Sequence, residues 1–325
     1  MPETPPHACP ADGTAPAEPL GEVYARLRAT GLIARLLELA RDEDLHPGGR
    51  DLTSAAMDAD ADGSDEVVRA DVVFREPGVA AGLVAIPDIC ETFGVGVRFE
   101  PALADGDTCA AGAVAGTLVG PRAQIVLVER TLLNLVGRLS GVATRTAEFV
   151  RAVEGTGATV CDTRKTTPGL RALEKYAVLC GGGTPHRFSL GDAVLIKDNH
   201  IAGVAGVDLT AVLDRAARRA RTIDPAPKFV EVEVDTLDQL DAVLAVEAGL
   251  IDFVLLDNFT TDEMREACAR REHSPAKPAF EASGGVTLET IAAIARTGVE
   301  RISVGGLTHH AVSLDVGLDM APERG

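Results

Sequence analysis

With 325 residues, 46% of them hydrophobic, the chain is long enough to bury a large core and to build two domains. Its 49 acidic residues against 31 basic ones give a net charge of −18, which argues against general binding of nucleic acid or an anionic membrane surface. Six scattered cysteines without CxxC or Cys/His ligand spacing point away from a disulfide framework or a zinc module, and no apolar run approaches the ~20 residues of a membrane span.

The chain opens with a Pro- and Ala-rich stretch that lacks the basic and apolar regions of a signal peptide, so residues 1–20 read as a disordered tail on a cytoplasmic protein. Residues 21–41 have the apolar spacing of one or two amphipathic helices. Residues 42–65 are acidic and glycine-bearing, with Asp51, Leu52, Thr53 and Ser54 expected to end a loop. From Val67 the pattern turns β-like: VVRADVVF, a turn at Glu76-Pro77-Gly78, then VAAGLVAI as a second strand. Pro87 begins a short helix, and VGVRFEPAL and GAVAGTLVG follow as strand candidates, together a small α+β unit with a partly antiparallel sheet. Residues 124–151 predict a long helix or a pair of helices. Arg130 stands near its start, where the helix dipole gives a cation nothing; it pairs with Glu129 or points at an anion.

Beyond residue 157 strand and helix alternate. The strands are TVCDT, AVLIK, FVEVEV, FVLLDN, AFEASGG and RISVGG, with helical patterns at 170–179, 208–221, 236–248, 261–271 and 287–297. Such alternation implies a parallel sheet with right-handed crossovers, closed as a (β/α) barrel or open and doubly wound. Polar residues recur at the strand ends (Thr163, Lys197, Glu233, Asp257, Ser283, Gly305), where barrel active sites lie, and this favours the barrel.

The stretch from Cys161 to His200 gathers Arg164, Lys165, His186, Arg187 and Lys197 beside the Gly181–Gly183 triplet. In so acidic a chain that cluster reads as a pocket for a small polyanion, set against the plainer alternative of a solvated basic face. Glu231 and Glu233 are two apart on one strand and share a face, so at least one carboxylate lining a barrel needs a cation, metal or hydroxyl partner. Asp257 ends an apolar strand; it belongs to the site or caps the next helix, although Thr260 or Thr261 is better placed to cap. The two strand–GG–helix units, Ser283-Gly284-Gly285 and Gly305-Gly306, occupy the last two positions, where barrels hold phosphate on backbone N–H groups. The adjacent His309 and His310 lack metal-ligand spacing.

The ordered set ERTLLNLVGRLSGVAT, DTRKTTPGLRALEKYAV, GGGTPHR, LIKDNH, VEVEVDTL, LLDNF, EASGGV and ISVGGLT resembles the quinolinate phosphoribosyltransferase family from about Glu129 to Leu314. The resemblance implies an α/β chain with an N-terminal α/β sandwich-like domain (21–140, joined by the segment 307–325) and an open, incomplete (β/α) barrel (141–306). It implies a homodimer with shared active sites, in which Arg130 reaches the partner's substrate. It also implies quinolinate binding by Thr163, Arg164, His186, Arg187 and Lys197, and catalytic contacts to the phosphoribosyl group from Lys165, Glu233 and Asp257. Glu233 and Asp257 would hold Mg²⁺, directly or indirectly, and Ser283, Gly284, Gly285, Gly305 and Gly306 the 5′-phosphate. The expected reaction joins quinolinate to 5-phosphoribosyl 1-pyrophosphate and releases pyrophosphate and CO₂. A monocarboxylate substrate fits less well, because it needs fewer cations; a non-catalytic anion-binding relative and a Schiff-base lyase using Lys165 or Lys197 are the other classes.

Overall fold

The computed structural model describes residues 18–45, 49, 51–57, 66–201 and 208–320. Most of the expected N-terminal tail and the loop at 58–65 therefore lie outside the described residues. Helices α1 (Leu20–Ala29) and α2 (Leu32–Leu45) bury Val23, Tyr24, Leu27, Ile33 and Leu37, so the first amphipathic pattern is a helix pair. Of the expected loop end only Asp51 is non-helical: its carboxylate accepts from Thr53 N (2.9 Å) and Ser54 Oγ (2.5 Å) and opens α3 (Leu52–Met57), which takes in Leu52, Thr53 and Ser54.

Strand β1 (Val67–Phe74) follows. Beyond it the expected strand VAAGLVAI is overturned: only β2 (Gly78–Val79) is extended. Gly82, with φ 91°, breaks the run into a 3₁₀ turn at Leu83–Ala85 and then α4 (Ile86–Phe93). A continuous apolar run buries equally well as strand or helix, and periodicity does not separate the two. Here the left-handed glycine decides, packed where a Cβ would stand 2.7 Å from Leu139 Cδ1.

Strands β3 (Arg98–Pro101), β4 (Thr108–Cys109) and β5 (Val114–Pro121) follow, with β4 paired to β2. Next comes one unbroken helix, α5 (Arg122–Ala152), of 31 residues. The barrel elements are then β6 (Thr159–Cys161), α6 (Arg171–Cys180), β7 (Val194–Ile196), α7 (Asp198–Ile201), α8 (Leu209–Ala220) and β8 (Val230–Val234). They continue with α9 (Leu237–Leu244), β9 (Phe253–Asp257), α10 (Thr261–Glu272), β10 (Ala279–Ser283), α11 (Leu288–Ala295), β11 (Arg301–Ser303) and α12 (Gly306–His309). Strand β12 (Val316–Met320) closes the described chain and returns to the first sheet, pairing antiparallel with β1 in a four-stranded order β12-β1-β5-β3.

The second sheet is wholly parallel, in the order β6-β11-β10-β9-β8-β7. Its edge strands β6 and β7 do not pair with each other among the described residues, so the ring of strands stays open. The period of two sorts its residues. Val230, Val232, Val234, Val254, Leu256, Phe280, Ala282, Ile302 and Val304 pack into the main core. The alternate positions line the interior: Phe229, Glu231 and Glu233; Phe253, Leu255 and Asp257; Ala279, Glu281 and Ser283; Arg301 and Ser303. Among the described residues no helix is long and apolar enough to cross a membrane, and the five described cysteines are free.

Candidate active site in the open barrel

The interior is layered. At its base Ala193, Phe229, Phe253 and Ala279 form a small apolar plug, with the two phenylalanine rings edge to face at 5.4 Å. Above the plug lie four buried ionisable groups. His186 Nε2 is 3.0 Å from Glu231 Oε2 and 3.4 Å from Glu281 Oε1. Arg301 Nε is 3.0 Å from Glu281 Oε2, and its guanidinium lies over the Phe253 ring at 4.2 Å. Above this layer the barrel opens into a cavity of about 700 Å³.

Protonation in the buried layer follows from one backbone group. The Arg187 N–H donates to His186 Nδ1 at 2.7 Å, which leaves the ring proton on Nε2, facing the carboxylates. Burial disfavours an imidazolium here, while the Glu281 and Glu231 carboxylates favour it. A second ring proton would have to sit on Nδ1, against an amide hydrogen that cannot turn away without moving the backbone. Hydrogen-bond geometry outranks the electrostatic preference, and the extra proton belongs to Glu231, whose carboxyl is pushed up by burial and then by Glu281. Burial also works against the Glu281 carboxylate, but Arg301 and then His186 hold it down at about 2. His186, Glu231 and Glu281 stand close enough to suit a metal ion. With its proton on Nε2 the ring has no lone pair to offer there, and Arg301 already supplies the positive charge.

The cavity wall takes its cations from loops that strands and helices fix. After β6, the Thr163 hydroxyl accepts from Lys165 N (2.9 Å), and Thr308 Oγ1 donates to Lys165 O (2.6 Å). Glu174, fully buried on α6, accepts from Thr167 N (2.9 Å) and from Arg138 Nη2 (2.7 Å), tying this loop to α5. Arg164 and Lys165 are thereby held on the wall. Arg187 is buried, and its Nη1 donates to Ala193 O at 3.2 Å. Its proton affinity is lowered by burial and then by the neighbouring Arg164, the mark of two cations facing one space. Lys197 Nζ is ion-paired to Glu233 Oε2, joining two residues expected to hold different substrates. His200 is an exposed rim residue whose Nδ1 accepts from Lys197 N at 2.9 Å.

Asp257 caps no helix. Thr260 and Glu263 form a capping box on α10, and Asp257 accepts instead from Asn258 Nδ2 at 2.7 Å. The nearby Asp235 is pushed up by burial and then by Asp257 and Asp198, so this side of the rim is a site of negative potential. The first glycine turn adjoins it, Ser283 pairing with Asp257 across neighbouring strands. Gly284 has φ 94°, and a Cβ there would come within 2.2 Å of Asn258 Oδ1. A Cβ on Gly305 would meet the Lys165 stem at 2.8 Å, so the lysine chain lies across that turn.

Thr163, Arg164, Lys165, His186, Arg187, Lys197, Glu233, Asp257, Ser283, Gly284, Gly285, Gly305 and Gly306 all line the one cavity. Arg130 does not. It stands exposed on α5, 3.8 Å from Glu129. The wall also includes residues that sequence reading left without a role: Glu281, Arg145, His309 and His310. The His-His pair carried a signal in its position just beyond the last glycine turn. Arg145 carried none, lying inside a helical repeat.

Comparison with known proteins agrees over both halves. The N-terminal domain of the quinolinate phosphoribosyl transferase family matches residues 51–140 and its C-terminal domain residues 142–319. The nicotinate-nucleotide pyrophosphorylase (carboxylating) of Mycobacterium leprae is 46% identical over 284 residues, covering 86% of this chain and 94% of its own. The probable enzyme of the same name from Bacillus subtilis is 40% identical over 278 residues, 86% of this chain and 90% of its own. The solved structure of the nicotinate-nucleotide pyrophosphorylase from Francisella tularensis superposes with a TM-score of 0.77 at 33% identity, over 89% of this chain and 96% of that one.

Proposed function

The chain belongs to the quinolinate phosphoribosyltransferase family, and on that premise we propose that its open-barrel cavity carries out the family's reaction in NAD biosynthesis. Quinolinate and 5-phosphoribosyl 1-pyrophosphate combine to give nicotinate mononucleotide, CO₂ and pyrophosphate. The observation that carries this reading is the pair of adjacent guanidiniums, Arg164 and Arg187, facing one cavity whose wall also includes the glycine turns. Two forks suit the two carboxylates of a flat dianion, and Lys197 adds a point charge beside them. His186 closes the wall, with Thr163 shaping the loop that carries Arg164.

The pyridine nitrogen attacks the anomeric carbon as its bond to the pyrophosphate oxygen breaks. The protein's task is to bring two mutually repelling anions together and to neutralise charge, so no covalent nucleophile is needed. Lys165, crossing the Gly305 turn, meets the departing pyrophosphate. Asp257 and Glu233 lie where they stabilise the oxocarbenium-like ribose or accept from its hydroxyls. The C–N bond leaves the ring nitrogen cationic. The bond from C2 to its carboxylate then breaks as CO₂ leaves, its electron pair stays on C2 beside N⁺, and a proton completes the product. Ser283, Gly284, Gly285, Gly305 and Gly306 receive the 5′-phosphate.

Glu233 and Asp257, hard oxygen donors on the negative side of the rim, are the residues that would hold Mg²⁺. When bound, the ion offsets charge on the ribosyl donor. The reading includes a cytoplasmic homodimer in which the exposed Arg130, which does not line the cavity of its own chain, enters the partner's cavity. The test is release of labelled CO₂ from 2-carboxyl-labelled quinolinate, with and without the ribosyl donor. Donor-dependent CO₂ together with nicotinate mononucleotide is expected. Turnover of nicotinate in place of quinolinate, or no CO₂ at all, overturns the proposal.

A further inference from the structure

The last glycine turn has a neighbour that the reaction described so far does not use. Arg145 lies half-buried on α5 and lines the cavity beside Gly305, Gly306, His309 and His310. Its Nε donates to Gly306 O at 2.7 Å, and its guanidinium carbon stands 5.3 Å from the centre of the Phe149 ring, one helical turn away. These two contacts fix the plane of the group. Neither terminal nitrogen has a hydrogen-bond or ion-pair partner among the described residues, and Nη2 lies 3.7 Å from where a Cβ on Gly306 would be.

Outside the cavity wall, several half-buried and buried arginines meet carboxylates: Arg138 with Glu174, Arg271 with Glu300, Arg301 with Glu281. Arg145 is anchored instead by a neutral carbonyl and a ring, so its whole charge and both terminal nitrogens stay available to a ligand. The turn it overlooks has no side chains, which leaves room for a tetrahedral group. The imidazole of His309 is pushed down by burial and then by His310 and Lys165, so this end of the cavity is cationic before any ligand arrives. A planar fork over a bare turn with uncompensated charge suits a phosphate monoester.

We propose that Arg145 is a phosphate-binding residue that grips the 5′-phosphate of the ribosyl donor from the α5 side of the Gly305–Gly306 turn. This rests on the reading of the cavity as a phosphoribosyltransferase site. The donor also carries a pyrophosphate, so the test separates its two ends. Full-length Arg145→Met keeps the length of the side chain and removes the fork; Arg145→Lys keeps the charge but cannot hold Gly306 O and still offer a planar fork.

In Arg145→Met the KM for the ribosyl donor rises about 10- to 100-fold, the worth of a charge-assisted hydrogen bond. The KM for quinolinate stays within about twofold, and Arg145→Lys falls between Arg145→Met and the unaltered chain. Calorimetric affinity for ribose 5-phosphate falls in parallel with the donor KM, while affinity for pyrophosphate does not. An unchanged donor KM in a folded Arg145→Met protein overturns the proposal. So does a loss confined to pyrophosphate, or a quinolinate KM that rises equally. If the unaltered chain binds ribose 5-phosphate through Arg145 but forms no nicotinate mononucleotide, the reaction fails and the phosphate site stands.

Discussion

Glu231 and Glu233 are two residues apart on one strand, on the same face, yet they belong to different chemistries. Glu231 is fully buried and bonds to His186 within a layer of buried charges. Glu233 reaches the cavity wall and pairs with Lys197, whose side chain is 40% exposed. One step of about 7 Å along a strand separates charge used inside the protein from charge kept for ligands. The lower layer sits on an aromatic plug and is buried, so its charges must be matched within it. The upper layer leaves Arg164 and Arg187 side by side without full compensation, a state that becomes favourable only when an anion arrives.

Substitutions can break each layer separately. Arg187→Ala removes one fork from the upper layer, and kcat/KM for quinolinate is expected to fall about 10³-fold. Steady-state kinetics with circular dichroism checks that the fold survives. Mixing this variant with Arg130→Ala restores about a quarter of the sites if symmetric dimers share residues across their interface. Glu281→Gln breaks the lower layer instead. It strands Arg301 among aromatic rings and is expected to cost about 3–5 kcal/mol in denaturant unfolding.

The same carboxylate sets an acid dependence. The folded protein holds Glu281 below its ordinary value of 4.5, so its contribution to stability is complete above pH 4.5 and is withdrawn as pH falls towards about 2. Glu281→Gln loses that slope, and unfolding curves taken between pH 5 and about 2 measure it. The smallest effect is the most discriminating. With the extra proton on Glu231, Glu231→Gln exchanges one neutral group for another and changes stability at pH 7 by less than about 1 kcal/mol. A loss as large as that of Glu281→Gln would put the proton on His186.

Much of this was legible along the chain. The period of two in FVEVEV put Glu231 and Glu233 on one face, and the strand–GG units put glycines at the last two strand ends. Those patterns are local, fixed by backbone geometry within a few residues, and they placed Glu233 and the glycine turns on the cavity wall, though not Glu281, Arg145, His309 or His310. VAAGLVAI misled for a related reason: an apolar run states burial but not period, and a glycine packed against Leu139, more than fifty residues away, chose the helix.

By itself, then, the sequence determined the strand–helix alternation, the acidic body with its cluster of cations, and the side chains that share a face, because these follow from spacing along one backbone. Only the tertiary structure decided that the barrel stays open between β6 and β7, and that Glu231 answers to His186 and Glu281 while Glu233 answers to Lys197. It alone brought Arg145 to the Gly306 carbonyl, 161 residues further along the chain. Partners so far apart are chosen by packing and by the cost of leaving a buried charge unmatched, and no local pattern records that choice.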